Sequence, residues 1–401
     1  MRLVLYTGKG GVGKTTTAAA TAVLAAERGR RTLVASADSA HSLGDVFERR
    51  LGPEPALLAP GLEAVEIDAR ALGAQHWGRI HEFLVRLFRH QGIEAVVAEE
   101  LALLPGAEEL ATLLAVEGFA TSGRWDLVVV DCAPTDSALR LLTLPDIAHR
   151  SLRVALPLLQ ALSGVAVPLA RHLVGTPLPD SGVFGEVDAL VNRRLRALQR
   201  RVTGPETSVR LVVTPERLVI EEARRAWTEL SLFELGCDAV VLNRLLPEGA
   251  GAEPFFREQA RREAERRREV EALFAPLPVL AAPLQDDEAT GLARLGEHAR
   301  RLFAGREPEA RLCAGERVRF ERAPGEWVAR IPLPGADPRH LDVAKVDAEL
   351  TITAGLRRRS LLLPRRLAAC DLASARLEGA CLRVGLRPAP AARPTDRAGA
   401  A

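Results

Sequence analysis

Lysine is almost missing from this 401-residue chain: of 54 basic residues, Lys9, Lys14 and Lys345 are the lysines and the other 51 are arginine. Cysteine is scarce as well. Five are scattered with no CxxC pair, which excludes both a disulfide scaffold and a cysteine zinc site and implies a reducing, cytoplasmic setting. Neither sign of charge dominates, the formal net charge being +2, so the balance gives no support for a nucleic-acid binder. Long apolar runs are also lacking. The stretch Val154–Ala170 is 17 residues without a charge, short of the about 20 that a spanning helix needs, and Pro157, Gly164 and Pro168 interrupt it. An integral membrane protein is not expected, and no secretory leader fits, because Leu3–Thr7 already reads as a strand. Aromatics are 4%, yet 47% of the residues are hydrophobic, which excludes a disordered chain.

The apolar residues fall into short runs at Leu3–Thr7, Thr32–Ala37, Leu127–Asp131, Arg210–Thr214, Ala239–Asn243 and Val279–Ala282. Helical periodicity follows several of them, as at Thr15–Arg28 and Glu216–Leu230. Strands separated by helices imply parallel pairing with right-handed crossovers, so residues 1–305 are expected to form one α/β domain. Residues 70–122 and 146–203 are too long for simple crossovers and read as helical insertions, which usually carry specificity. After a linker at 306–311 the texture changes. Short alternating runs at Val318–Glu321, Trp327–Ile331, Leu341–Val346, Leu350–Thr353, Leu361–Leu363, Ser374–Glu378 and Cys381–Leu386 predict a small all-β sandwich over 312–388. A Pro/Ala-rich tail, 389–401, is expected to be disordered.

Two of the three lysines lie in one glycine loop, Gly8-Lys9-Gly10-Gly11-Val12-Gly13-Lys14-Thr15-Thr16, between a strand and a helix. The loop fits the dinucleotide pattern through Gly8, Gly10 and Gly13, with Asp38 as a ribose-binding acid, and also the P-loop pattern G-x-x-x-x-G-K-T. Charge separates the two. A pyrophosphate is neutralised by a helix N-terminus alone, whereas a triphosphate calls for an ammonium at its terminal oxygens and a hydroxyl on Mg²⁺. Lys14 and Thr15 supply both at the required spacing, in a chain that otherwise writes arginine.

Lys9 to Thr16, K-G-G-V-G-K-T-T, resembles the deviant Walker A loop of ATPases that work as face-to-face dimers. Asp38-Ser39-Ala40-His41-Ser42-Leu43-Gly44-Asp45 resembles the first switch of the arsenite-pump and tail-anchored-protein targeting family. Asp131-Cys132-Ala133-Pro134-Thr135-Asp136-Ser137-Ala138-Leu139-Arg140-Leu141-Leu142 resembles its second switch. The resemblance spans about residues 1–305. It implies that Gly8, Gly10, Gly11, Val12, Gly13, Lys14, Thr15 and Thr16 hold the phosphates of ATP, that Thr15 and Asp131 hold Mg²⁺, and that Asp38 orients the attacking water. It implies further that Asn243 and Pro283 hold the adenine and that Lys9 reaches the partner's nucleotide in a homodimer. The second switch departs from the family at Cys132, Asp136, Ser137 and Ala138, which places ATP binding on firmer ground than fast hydrolysis. The first departs at Ser39 and Gly44.

Arsenite capture needs clustered thiolates, and the insertions hold no cysteine. Their apolar helices, Ile80–Phe88, Ala95–Leu104 and Val154–Ala170, either pack on the sheet or form a groove for a helical client, a protein or a membrane-associated partner. Residues 312–388 resemble a small heat-shock-protein (α-crystallin-type) domain through Ile331-Pro332-Leu333-Pro334-Gly335, Leu361-Leu362-Leu363-Pro364 and Ala375 to Leu382. Arg357-Arg358-Arg359 is expected to be solvated. The sequence therefore predicts an ATP hydrolase whose cycle gates client binding, with a weakly hydrolysing nucleotide-locked scaffold as the alternative and a partition or septum-site ATPase as a more distant one.

Overall fold

The computed structural model describes residues 1–38, 42–90, 92–101, 107–133, 135, 137–140, 143 and 194–388. Most of the second insertion, the end of the second switch and the Pro/Ala-rich tail therefore lie outside the described residues. Contacts divide the chain into two units, one formed by Met1–Ala226 and Leu235–Ala314, the other by Trp227–Glu234 and Gly315–Ala401.

The first unit is built on eight strands: β1 (Arg2–Thr7), β2 (Thr32–Ser36), β3 (Ala56–Ala59), β4 (Leu62–Glu66), β5 (Leu127–Asp131), β6 (Thr207–Val213), β7 (Cys237–Leu245) and β8 (Val279–Pro283). Their order across the sheet is β3-β4-β2-β5-β1-β6-β7-β8. All neighbours are parallel except the edge pair β3–β4. Every residue of β2, β5 and β6 is buried, which is why these strands read as continuous apolar runs rather than alternating ones. Helices α1 (Lys14–Glu27), α2 (Leu43–Phe47), α3 (Ala69–His90), α4 (Ala95–Leu101), α5 (Ala107–Thr121), α6 (Arg196–Val202), α7 (Arg217–Leu232), α8 (Arg257–Leu273) and α9 (Gly291–Phe303) connect them. The insertion over 70–122 is thus helical where described. The edge strands β3 and β4 were absent from the sequence expectation.

One polar feature of this core was also unforeseen. Arg210 on β6 and Asp238 on β7 are both fully buried and bond through Nε and Oδ1 at 3.1 Å. Asp238 Oδ2 accepts from Arg2 at 2.9 Å, and Arg210 also donates to Tyr6 Oη at 3.0 Å. The same guanidinium donates to the carbonyls of Pro308 and Ala310 at 2.8 and 2.9 Å, while Arg2 Nε reaches Glu309 O at 3.0 Å. Residues 306–311, expected as a linker, are therefore fastened to the first unit by two arginines. Removing one member of a buried ion network leaves the others uncompensated. Asp238→Asn is expected to lower stability by about 2–3 kcal/mol, read as a fall in the urea midpoint at unchanged slope.

The second unit holds two antiparallel sheets, one of β9 (Arg319–Ala323), β10 (Glu326–Pro332), β14 (Cys370–Glu378) and β15 (Cys381–Pro388), the other of β11 (Leu341–Val346), β12 (Glu349–Ala354) and β13 (Arg357–Leu362). Its core contains Val328, Ile331, Leu350, Ile352, Leu382, Val384 and Leu386, each at most 3% exposed. The end of α7 belongs to this unit: Thr228 donates to Pro334 O at 2.6 Å. The arginine run is not uniformly solvated as expected. The two-residue period of β13 turns Arg359 inward, where it is 6% exposed and pairs with Glu234 at 3.1 Å, while Arg358 faces solvent. Lys345, for which the sequence offered no role, donates to the backbone carbonyls of Asp347 and Ala368 at 2.5 and 2.9 Å.

Candidate functional site

Because the strands around β1 run parallel, their C-terminal ends open on one edge of the sheet, and the loops that follow meet there. β1 leads into the glycine loop, β2 into Asp38, β7 carries Asn243 and β8 ends at Pro283. Strand register fixes the centre of the group, with Asp131 opposite Tyr6 of β1 and Ser36 of β2.

Two glycines shape the loop. A Cβ on Gly8 would stand 2.2 Å from Val212 O, a backbone atom that cannot yield, and one on Gly13 would stand 2.3 Å from Asn243 Nδ2. Gly13 also has φ +92, a conformation that side chains resist. A Cβ on Gly10 or Gly11 would meet nothing within 4 Å, so those two residues border open space. A glycine loop that runs into a helix N-terminus beside open space is an arrangement suited to phosphate oxygens.

Lys14, the first residue of α1, is 6% exposed. Its ammonium bends back to Lys9 O at 3.4 Å, a weak partner for a buried cation. Thr15 Oγ1 lies 3.2 Å from Ser42 Oγ, which ties the metal-ligand candidate to the first switch. Asp131 is wholly buried; among the described residues neither carboxylate oxygen makes a hydrogen bond of good geometry, and the Thr15 hydroxyl and the Lys14 ammonium are the groups that offset its burial. Burial raises its pKa to about 6, against the lowering influence of the Thr15 hydroxyl and the Lys14 ammonium, and Asp38 adds to the rise. An unpartnered buried carboxylate beside a threonine hydroxyl and a lysine fits a cation. Among the described residues no group of three or more His, Cys, Asp or Glu could hold a metal.

Asp38 is half-buried, and its backbone amide donates to Ser36 Oγ at 3.3 Å. Ser39, Ala40 and His41 lie outside the described residues, as do Pro134 and Asp136 of the second switch. Lys9 is half-exposed, and its ammonium makes no ion pair among the described residues. A cavity of about 600 Å³ adjoins the loop and is lined by Gly13, Thr16, Ser42, Asn243 and Pro283 among others, so both residues expected to hold adenine share it with the phosphate loop. Asn243 Nδ2 donates to Val12 O at 2.8 Å. Two further lining residues, Gln285 and His298, escaped the sequence reading, since they stand 13 positions apart and belong to no motif. No described helix is long and apolar enough to cross a membrane.

The profile of the anion-transporting ATPase family matches residues 1–304, and that of an HSP20-like domain found in ArsA matches residues 324–386. The "Putative arsenical pump-driving ATPase 1" of Aquifex aeolicus is 30% identical over 388 residues, covering 94% of this chain and 98% of that protein. The "Putative arsenical pump-driving ATPase" of Chlorobaculum tepidum is 32% identical over 374 residues, covering 91% and 90%. With its parallel sheet, its phosphate loop and these matches, the chain belongs to the anion-transporting ATPase family as an ATP hydrolase that carries an HSP20-like domain.

Proposed function

We propose that this chain is a Mg²⁺-dependent ATPase that works as a nucleotide-switched homodimer in the cytoplasm and couples hydrolysis to binding and release of a client. The observation that carries the metal and nucleotide part is the orphaned Asp131 carboxylate next to Thr15 and Lys14, at the mouth of a glycine cradle. The loop amides from Gly10 to Thr15 bind the phosphates, and Lys14 stabilises charge on the transferred group. Asp38 orients the attacking water, and Asn243 with the chain at Pro283 seats the adenine. Thr15 and Asp131 hold Mg²⁺, which supplies charge neutralisation between the terminal phosphates. In phosphoryl transfer this positioning and electrostatic stabilisation perform nearly all the catalysis.

The dimer part rests on Lys9. It is a second ammonium in the loop of a chain with a single such loop, and it pairs with nothing among its described neighbours, so it serves the nucleotide of a second copy. The client is a protein or a membrane-associated partner rather than arsenite, because residues 70–122 and 146–203 contain no cysteine to supply clustered thiolates. The departures in the second switch favour a slow enzyme, and a nucleotide-locked scaffold that hydrolyses little is the second reading.

Steady-state ATP turnover against Mg²⁺, with and without chelator, tests the enzyme. Light scattering with a non-hydrolysable ATP analogue tests the dimer. The wild type is expected to double its mass with Mg²⁺ and the analogue. Lys9→Ala is expected to stay monomeric and to lose turnover about 100-fold, while still binding one nucleotide per chain. A wild-type monomer under those conditions refutes the switched dimer, and turnover indifferent to chelator refutes the metal assignment.

A further inference from the structure

Arg244 stands where the physics of a strand does not favour it. It is the penultimate residue of β7, and its φ is +59, in the left-handed region that residues other than glycine resist. The other described non-glycine residues with positive φ are Glu48, Glu234, Ala304 and Asp347. All of these lie in turns or just past helices, whereas Arg244 lies inside a strand. The cause is a bulge. Leu242 faces Ala281 of β8 and Leu245 faces Pro283, so Asn243 and Arg244 stand against Ala282 alone. Bulges are over-represented beside active sites, where they aim a side chain, and backbone strain of this kind clusters at ligand clamps.

The side chain is equally out of keeping. Asn243 and Leu245 on either side are 6% exposed, whereas Arg244 is exposed and forms no ion pair among the described residues. Acids are not lacking nearby. Arg244 lines a second cavity with Glu258, Glu263, Glu265 and Glu269 of α8, yet each of these is engaged elsewhere. Glu258 pairs with Arg261 and Arg262 at 2.9 and 3.0 Å, Glu265 with Arg261 at 2.9 Å and Glu269 with Arg266. Both oxygens of Glu263 accept from the Leu246 amide. Glu216, the remaining acid of that cavity, does not pair with Arg244 either. On its other side Arg244 lines the cavity that adjoins the glycine loop, together with Gly13, Thr16 and Asn243. The preceding residue touches the loop directly, since Asn243 Nδ2 donates to Val12 O at 2.8 Å. A guanidinium with no acid of its own is thus held beside the phosphate loop by a strained backbone.

We propose that Arg244 is a further substrate-binding residue, whose guanidinium lies over the phosphate chain of the bound nucleotide on the side of Gly13 and Thr16. This inference rests on the reading of the loop as the phosphate site. The phosphates are the anion which that reading supplies, and a planar fork of donors suits phosphate oxygens taken in pairs. Lys14, Thr15 and Asp131 serve the transferred group. Arg244 shares its wall with Thr16 instead, so it bears on the inner phosphates and positions the nucleotide without entering the chemistry.

The test measures ADP and ATP affinities of the full-length chain by competition against a fluorescent nucleotide analogue, at about 0.05 and about 0.5 M KCl, with KM and kcat alongside. Arg244→Ala is expected to weaken ADP and ATP alike, by about tenfold, because a charge-assisted contact is lost. KM should rise by that factor while kcat stays within about threefold of wild type. Arg244→Gly accepts the left-handed backbone without strain, so it removes the side chain alone and keeps the test open if the alanine variant folds poorly. It should weaken both nucleotides as much as alanine does. Arg244→Lys, a charge without the fork, should keep part of the affinity. Higher salt should cost the wild type more affinity than either truncated variant, because exposed ionic contacts are screened. Full affinity in Arg244→Gly overturns the proposal, since the bulge and not the guanidinium would then be what matters. Equal salt dependence in wild type and Arg244→Ala overturns it as well. Failure of the wild type to bind either nucleotide overturns the reading of the loop along with it.

Discussion

Lys14→Arg is expected to cut ATP turnover by more than about 1000-fold, and Lys14→Ala by at least as much. In the folded chain Lys14 is 6% exposed, and the one hydrogen bond of its ammonium among the described residues is the 3.4 Å contact to Lys9 O. A buried cation so poorly partnered is costly on its own and becomes favourable when an anion arrives. The phosphate group supplies that anion, so the interaction is strong in the complex and strongest as charge gathers on the transferred group. Arginine keeps the charge but spreads it over a planar fork that cannot occupy the space of a compact ammonium. The loop has little room to shift for a larger group, since Gly8 is pressed against Val212 O and Gly13 against Asn243. Steady-state kinetics and nucleotide titration check this together. Turnover within tenfold of wild type in Lys14→Arg would remove Lys14 from its assigned role.

The parts of this site that sequence could reveal are those where one short segment carries the whole physical requirement. The glycine loop is such a segment, since a strand, a turn that excludes Cβ atoms, an ammonium and a hydroxyl must follow one another in fixed order. The strands β2, β5 and β6 were legible for a related reason, because burial on both faces leaves an unbroken apolar run. The edge pair β3–β4 was not, since β3 is mostly part-exposed and Glu63 and Glu66 break the buried apolar residues of β4 into too short a run to stand out. Arg210 and Asp238 were hidden differently. Charges inside a strand suggest exposure until the partner 28 residues away is known to lie on the neighbouring strand. Gln285 and His298 belong to the same class, being brought together by the return of α9 over the sheet rather than by spacing. The metal-ligand candidate at the end of β5 falls between these extremes. Asp131 was legible as the end of an apolar strand, but its lack of any hydrogen-bond partner depends on β1 and β2 flanking it.

That lack of a partner makes Asp131→Asn a substitution with effects of opposite sign on stability and catalysis. The Asp131 carboxyl has its pKa raised by burial from 3.8 to about 6, so the folded chain holds the proton more tightly than the unfolded one. Below about pH 4 the group is protonated in both states and imposes no penalty. As pH rises through about 6 the carboxylate forms with the Thr15 hydroxyl and the Lys14 ammonium offsetting its burial only in part, and the penalty becomes complete at a level on the order of 2–3 kcal/mol. The chain without nucleotide should therefore gain this contribution to stability as pH is lowered from 7.5 toward 5. Asparagine removes the charge but keeps a polar group with the same unmet hydrogen bonds, so the gain at pH 7.5 should be about 1–2 kcal/mol, with little dependence on pH from this site. Mg²⁺ and ATP reverse the order. The wild-type carboxylate then has a cation and becomes an asset, whereas the amide does not, so the variant should lose most of the thermal stabilisation that Mg–ATP confers. Its turnover should fall about 100- to 1000-fold. Thermal unfolding at pH 5 and 7.5, with and without Mg–ATP, separates the two effects in one experiment. A variant less stable than wild type without nucleotide, or equally stabilised by Mg–ATP, would mean that Asp131 is a structural carboxylate rather than one held in reserve for a metal.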